Sequence, residues 1–207
     1  MTATLPPSAE AEIRRILLFT RLDCRRVSSD RPNLEYCVQF LGPPTKKQSR
    51  QDTLFHAVTA VCQRDTLEWQ DSEDTTARGI CYVRSRDWGG RIAAVLNCHF
   101  YHGELDYSEG EEVLTAWSLG QRSPFMIATA ALSAGVDCPS VRRVLHAGPP
   151  DGLLNYGQET GRAGRDGLLA VCLVLLVEGW QVSWENTYHS DFLTEDRIQM
   201  GYFLRSR

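Results

Sequence analysis

Lysine is nearly absent from this 207-residue chain. Of its 22 lysines and arginines, only Lys46 and Lys47 are lysines. The other basic residues are arginines, whose guanidinium groups suit bidentate contacts with carboxylates and phosphates. Biased codon usage would produce the same excess, so the excess by itself assigns no site. The net charge of the chain is −4, whereas nucleic-acid-binding proteins typically carry an excess of basic residues.

The sequence also lacks the cysteine patterns of a disulfide framework or a zinc site. Its seven cysteines are odd in number and contain no CxxC pair. This pattern predicts a reduced, intracellular protein that binds no zinc. No apolar run reaches the length of a membrane span, and the stretch MTATLPPSAE lacks the basic and apolar regions of a signal peptide. We therefore expect no membrane partner.

A complete phosphate-binding loop of the GxxxxGK[ST] type is missing as well. The nearest stretch, Gly42 to Ser49, lacks the second glycine, and its two prolines remove backbone N–H donors. No acidic pair follows a strand as the magnesium-binding Walker B carboxylates do, and HExxH and GxSxG are absent. We therefore expect the chain alone to hydrolyse no ATP.

What the sequence does contain is a regular alternation of helices and short apolar strands. Runs of this kind without polar alternation are typical of parallel strands covered on both faces. The sequence therefore predicts an α/β fold, a three-layer parallel sheet with helices on both faces. Strands are predicted near residues 34–42, 79–83, 98–102, 124–129, 141–148 and 168–177, and helices near 8–17, 51–68, 87–97, 107–120 and 151–161.

Polar residues follow three of the predicted strands. Arg84 and Ser85 come after the second strand, His102 ends the third, and Thr129 ends the fourth. Because ligands meet parallel sheets at the carboxyl ends of the strands, these residues could together line a surface that approaches a phosphate backbone. Taken singly, His102 or Thr129 could instead cap the following helix.

A turn containing Gly135 and Asp137 precedes the fifth strand. Asp137 is open to two interpretations: a turn residue that bonds its own backbone, or a carboxylate that accepts a hydrogen bond from a ribose hydroxyl.

The stretch YGQETGRAGRDG, residues 156–167, spaces arginines with glycines. On a helix Gln158, Arg162 and Arg165 would lie along one side. Guanidinium groups beside glycines, which permit close backbone approach, fit a phosphoryl group. The alternative is a solvated basic turn whose arginines pair with Glu159 or Asp166.

Taken together, the motifs resemble the RecQ-type DNA helicases of superfamily two. YGQETGRAGRDG is similar to motif VI of that family, IATAALSAGVDCPSVRRVLHAG to motif V, GICYVRSR to motif IV and YHGELD to the tyrosine–histidine element after it. SSDRPNLEYCV resembles the entry into the second lobe, and TATLPP resembles motif III at the end of the first lobe. The resemblance runs in register from Thr2 to about Leu176.

The resemblance implies that the chain forms a RecA-like second lobe. It also implies roles in ATP hydrolysis for residues of motifs V and VI. Arg165 would be the arginine finger that reaches the γ-phosphate of ATP. Arg162 and Gln158 would support Arg165 and couple the nucleotide to DNA, and Gly135 and Asp137 would face the nucleotide cleft. ATP and Mg²⁺ would be shared with a first RecA-like lobe, and translocation would run from 3′ to 5′.

The resemblance also implies the partners. Arg84, Ser85, His102 and Thr129 would lie along single-stranded DNA, and the partners would be single-stranded or duplex DNA and a first RecA-like lobe. DNA repair and recombination are the processes implied, with a nuclear location if the organism is eukaryotic. The predicted domains are a first-lobe tail and linker, a second lobe and a helical appendage, at residues 1–30, 31–177 and 178–207.

The chain also departs from the family pattern. It begins within motif III, so the adenine-reading glutamine, the Walker A lysine and the acidic motif II are not in the sequence. Motif V carries Asp137, where bacterial members more often have asparagine. The chain ends where a four-cysteine zinc module would begin, so no zinc is expected. A truncated, non-catalytic module that binds DNA or a helicase is therefore the alternative function.

Overall fold

The computed structural model describes residues 10–18, 31–72, 74–132 and 137–178. These residues fall into two units that divide after Pro32. The first unit contributes one described helix, α1 at Glu10–Ile16, and the second unit contains the sheet. The motif III stretch, Gly135 and residues 179–207 lie outside the described residues, so the predicted first-lobe tail and helical appendage stay predictions.

The described part of the second unit alternates strands and helices as predicted. Its helices are α2 (Arg50–Asp71), α3 (Arg86–Leu96), α4 (Tyr107–Ser118) and α5 (Leu153–Thr160). Its strands are β1 (Leu34–Leu41), β2 (Arg78–Tyr82), β3 (His99–Tyr101), β4 (Phe125–Ala128), β5 (Val141–Ala147) and β6 (Ala170–Val177).

All six described strands are parallel, and they lie in the order β1-β6-β5-β2-β4-β3. Alternate side chains of each strand point to opposite faces, so adjacent residues of β2 enter different cores. Cys81 packs with residues of α2 and α3, whereas Ile80 packs with Trp117 of α4. Tyr156 of α5 packs on Val174 of β6. The predicted three-layer α/β architecture is confirmed.

Two of the helices begin with capping boxes. Before α2, the Ser49 hydroxyl accepts from the Asp52 N–H, and the Asp52 carboxylate accepts from the Ser49 N–H at 2.9 Å. Asp106 and Glu109 make the same reciprocal contacts at the start of α4. Reciprocal bonds of this kind satisfy donors that a helix start leaves unpaired. The helix starts are therefore fixed by short local patterns.

Arg78, the first residue of β2, is a buried cation that ties the sheet to the end of α4. Its guanidinium donates to the carbonyls of Trp117 at 3.0 Å and Ser118 at 3.1 Å, near the carboxyl terminus of α4. It also donates to the carbonyls of Thr75 and Ala77. A cation at this end of a helix interacts favourably with the helix dipole and with carbonyls that lack intrahelical partners.

Replacing Arg78 with methionine is expected to lower the free energy of unfolding by about 2–3 kcal/mol, because buried carbonyls lose a charged donor. Urea unfolding followed by circular dichroism measures the loss. Arg50→Met, at an exposed arginine of α2, is the matched control and should change stability by less than about 0.5 kcal/mol. Equal losses in the two variants would contradict the role given to Arg78.

None of the described helices is both long and apolar enough to cross a membrane.

Candidate nucleotide and nucleic-acid interface

Several of the described residues that were predicted to contact ligands lie at two opposite edges of the sheet. Arg84, Ser85, His102 and Thr129 follow the carboxyl ends of the neighbouring strands β2, β3 and β4. The loop that follows α5 lies at the amino edge, where the N–H of Gly164 donates to the carbonyl of Val141 at the start of β5. The backbone that carries Arg165 therefore lies at the edge opposite to Arg84, Ser85, His102 and Thr129.

At the carboxyl edge, Arg84 and Ser85 are exposed but have different local roles. The Arg84 guanidinium lies 2.8 Å from Oδ1 of Asp151, which belongs to the loop before α5. The Ser85 hydroxyl accepts from the N–H of Trp88 and so caps α3. Arg84 offers a cation at this edge, whereas Ser85 has a structural role that the sequence analysis did not assign.

His102 and Thr129 complete the row without capping a described helix. The cap of α4 is Asp106, and His102 instead accepts from the N–H of Glu104 through Nδ1 at 3.3 Å. The Thr129 N–H donates to the carbonyl of Tyr101 at 3.0 Å, joining the ends of β4 and β3. Both side chains are partly exposed. The helix-cap interpretation of His102 is therefore wrong.

The glycine-spaced loop at the amino edge has a specific steric requirement at Gly164. Its φ angle is +54°, and an added Cβ would lie 2.5 Å from Nδ2 of Asn33 and 2.7 Å from the carbonyl of Leu168. The Asn33 amide donates to the carbonyls of Gly164 at 2.8 Å and Leu168 at 2.9 Å. Asn33, which the sequence analysis did not single out, thus fixes the path of the arginine-bearing loop.

Arg165 pairs with Asp137, the other residue predicted for the nucleotide cleft. Nη1 of Arg165 donates to Oδ1 of Asp137 at 2.9 Å, and Nε donates to the carbonyl of Gly161 at 3.4 Å. The Arg165 side chain is 37% exposed and the Asp137 side chain 83% exposed. The two predicted nucleotide contacts are therefore neighbours on an accessible surface, while Gly135 lies outside the described residues.

Asp166, the acidic residue of the loop, pairs with Arg142. Asp166 takes a bidentate contact from Arg142, at 2.9 and 2.5 Å. These hydrogen bonds hold the pKa of Asp166 below its usual range. A carboxylate with a lowered pKa stabilises the fold at neutral pH, and this contribution is lost as the pH falls through the lowered pKa. The Arg142–Asp166 pair therefore anchors the loop to β5.

Gln158, Arg162 and Arg165 do not share one side of a helix, so the helical expectation is wrong. α5 ends at Thr160, and turns follow through Asp166. Gln158 and Arg165 are exposed, but Arg162 turns inward and is 5% exposed. The glycines end the helix and send the two arginines in different directions, so only Arg165 offers its guanidinium at the surface.

Arg162 enters a buried group of polar side chains between α5 and the sheet. We call this group, Tyr82, His146, Tyr156, Glu159 and Arg162, the His146 cluster. Nε2 of His146 lies 2.7 Å from Oε2 of Glu159, and the His146 ring stacks on Tyr82 with centroids 5.3 Å apart. Burial raises the pKa of Tyr82 well above its usual range, and the positive charge of Arg162 opposes that shift.

The His146 cluster reaches the carboxyl edge through a cleft. Tyr82, His146 and Glu159 line this cleft together with Arg84 and Asp151. No sequence pattern singles out His146, because the residue lies within VRRVLHAG, which is typical of an ordinary strand. For Glu159 the sequence predicts only a pairing with an arginine.

The chain is similar in sequence to helicases. The helicase conserved C-terminal domain family matches residues 62–167. The ATP-dependent DNA helicase RecQ of Synechocystis is 31% identical over 84% of this chain and 34% of its own length. The RecQ-like DNA helicase BLM of Xenopus laevis is 31% identical over 84% of this chain and 12% of its own length. The chain thus spans about a third or less of these relatives.

Solved structures agree on the fold. Dbp5 of Saccharomyces cerevisiae, in a structure with RNA and ADP BeF3, has a TM-score of 0.64 and 16% identity over 86% of this chain and 44% of that chain. The second domain of the DEAD-box helicase Mss116p, bound to an RNA duplex, has a TM-score of 0.55 and 16% identity over 70% of this chain and 55% of that chain. The α/β fold is therefore RecA-like.

Proposed function

Because the chain belongs to the helicase conserved C-terminal domain family, as a second lobe of the RecQ type, we propose that it serves an ATP-dependent 3′–5′ DNA helicase. In this role its amino edge contacts ATP and its carboxyl edge contacts single-stranded DNA. One observation carries the proposal: Arg165 and Asp137, far apart in sequence, are paired 2.9 Å apart on an accessible surface.

The amino edge fits a nucleotide triphosphate. Arg165 is exposed and presents a planar guanidinium, which suits the oxygens of a γ-phosphate. Asp137 can accept a hydrogen bond from a ribose hydroxyl once the Arg165 guanidinium moves to phosphate. ATP and Mg²⁺ supply the phosphoryl group and the neutralising charge in reactions of this class. The described residues contain no group of three metal-ligating side chains, so no step on this chain is assigned to a metal.

Arg165 would act by stabilising charge and by nothing else. The transition state of phosphoryl transfer spreads negative charge over the equatorial oxygens, and an arginine placed there needs no proton transfer. Arg142 and Asp166 hold the loop against β5, and Asn33 holds it against β1. These contacts fix the backbone on both sides of Arg165, so the finger starts from a defined position.

The carboxyl edge fits a nucleic-acid backbone. The Arg84 cation, the partly exposed hydroxyl-bearing Thr129 and the imidazole of His102 lie at the ends of three neighbouring strands. Contacts of these types bind phosphate and sugar and carry no sequence information. We therefore propose that the chain follows single-stranded DNA without reading its bases.

The chain is expected to bind an oligothymidine with an affinity that falls as salt rises. Arg84→Gln should weaken binding and flatten the plot of log affinity against log salt by about 0.7, the value for one phosphate contact on a single strand. Fluorescence anisotropy at several salt concentrations gives both numbers.

Arg64→Gln is the matched control for Arg84→Gln, because Arg64 is an exposed arginine of α2 away from the carboxyl edge. Its binding and salt slope should equal those of the unsubstituted chain. Binding that ignores salt would contradict phosphate contacts, and an equal slope change in both variants would contradict the assignment of Arg84.

A further inference from the structure

Coupling between the two proposed sites must act across the sheet, because the proposed DNA contacts lie at one edge and the proposed contact of Arg165 with the nucleotide lies at the other. β5 runs from the amino edge to the carboxyl edge, and α5 returns the chain to the amino edge. Arg84 lies two residues beyond β2, and Arg165 lies five residues beyond α5. A contact that fixes α5 to β5 can therefore relate the positions of the two arginines.

His146 and Glu159 form such a contact. Nε2 of His146 and Oε2 of Glu159 are 2.7 Å apart, and the side chains are 3% and 12% exposed. An ionised carboxylate only accepts hydrogen bonds, so opposite an ionised Glu159 the donor is the His146 tautomer that carries the proton on Nε2. A hydrogen bond to a charged group is stronger in a buried site than in water. The pair therefore holds the last turn of α5 to β5.

The same pair contacts both proposed sites through its neighbours. On the DNA side, the His146 ring stacks on Tyr82 at an interplanar angle of 18°, and Tyr82 lines the cleft with Arg84. On the nucleotide side, Glu159 adjoins Gln158 and precedes Arg162 by three residues. The positive charge of Arg162 opposes the rise that burial causes in the pKa of Tyr82, so Arg162 lies near the end of β2.

We propose that His146 and Glu159 are positioning residues that transmit DNA occupancy of the carboxyl edge to the arginine loop. A strand bound beside Arg84 restrains the end of β2, Tyr82 restrains the His146 ring, and the bond to Glu159 restrains α5 and the loop after it. Neither residue touches the nucleotide. The inference deepens the proposed function and rests on it.

The test is hydrogen–deuterium exchange of the full chain with and without saturating oligothymidine. DNA is expected to slow amide exchange in peptides that cover residues 153–165, since local opening of this segment becomes less frequent. In His146→Ala and Glu159→Ala, each measured at its own saturating DNA concentration, the slowing should be lost. Glu159→Gln keeps an acceptor for Nε2–H and should restore it. If His146→Ala does not fold, Glu159→Ala decides the question.

Asp166→Asn is the matched control, because it weakens an ion pair of the same loop that has no part in the His146 cluster. It should keep the slowing that DNA causes. Slowing that persists in Glu159→Ala overturns the inference and leaves the proposed function intact, as does DNA binding without slowing in the unsubstituted chain. Failure of the unsubstituted chain to bind DNA overturns the proposed function and this inference with it.

Discussion

Arg165→Lys, in a protein that joins this chain to the first lobe of a RecQ-type helicase, is expected to lower kcat for DNA-stimulated ATP hydrolysis about 10³-fold. Lysine keeps the charge but presents a single ammonium group, which cannot reproduce the planar fork of the guanidinium. Because the finger acts on charge that develops during transfer, KM for ATP should change far less than kcat. Steady-state kinetics at saturating DNA separate the two constants.

Arg64→Lys is the control for this substitution. Arg64 is an exposed arginine of α2 that has no part in the arginine loop or in the Arg165–Asp137 pair. Its kcat should stay close to that of the unsubstituted protein. An Arg165→Lys protein with full kcat would contradict the finger assignment. A large rise in KM with unchanged kcat would instead make Arg165 a ground-state contact.

Asp65→Ala is expected to lower the free energy of unfolding by about 3–5 kcal/mol, because it leaves a largely buried guanidinium without its counter-charge. The Asp65 side chain is 1% exposed and accepts from Nε of Arg143 at 2.6 Å, which ties α2 to β5. Urea unfolding of the chain, followed by circular dichroism, measures the loss. The midpoint should shift while the dependence on urea concentration stays the same.

Arg64 provides the control for Asp65, since it contacts the same carboxylate from the outside at 2.9 Å and is 62% exposed. Arg64→Ala should cost less than about 1 kcal/mol, as exposed ion pairs do. Replacing both Asp65 and Arg143 with apolar residues of similar size should recover much of the stability. Equal losses in Asp65→Ala and Arg64→Ala would contradict a buried pair.

The sequence predicted the order and type of the described elements because buried parallel strands are apolar throughout, and β6 is such a run. The apolar periodicity predicted α2 from about residue 51, and the structure shows that Ser49 and Asp52 fix its start locally. The ends of the apolar runs also predicted the ends of the strands, and these strand ends placed Arg84, His102 and Thr129 at one edge of the sheet. The fold class was therefore accessible from local signals alone.

The pairing of charged side chains could not be predicted from the sequence, because it depends on residues that are distant in sequence. Asp137 meets Arg165, and Asp65 meets Arg143, only after the strands are assembled. The inward turn of Arg162 depends on where α5 ends against the sheet, which spacing along a helix cannot report. The partners of a guanidinium are set by tertiary geometry.

The pairing of β1 with β6 has a consequence for how the lobe is made. Leu34 is in register with Ala170, and Asn33 donates to the carbonyl of Gly164, so among the described strands the first pairs with the last. Contacts between the two ends of a domain form slowly, since a long chain segment must close. During synthesis, which proceeds from the amino terminus, β1 leaves the ribosome before β6 and can pair with it only after β6 has emerged. The arginine loop, which Asn33 fixes, is consequently among the last parts of the lobe to take its final form.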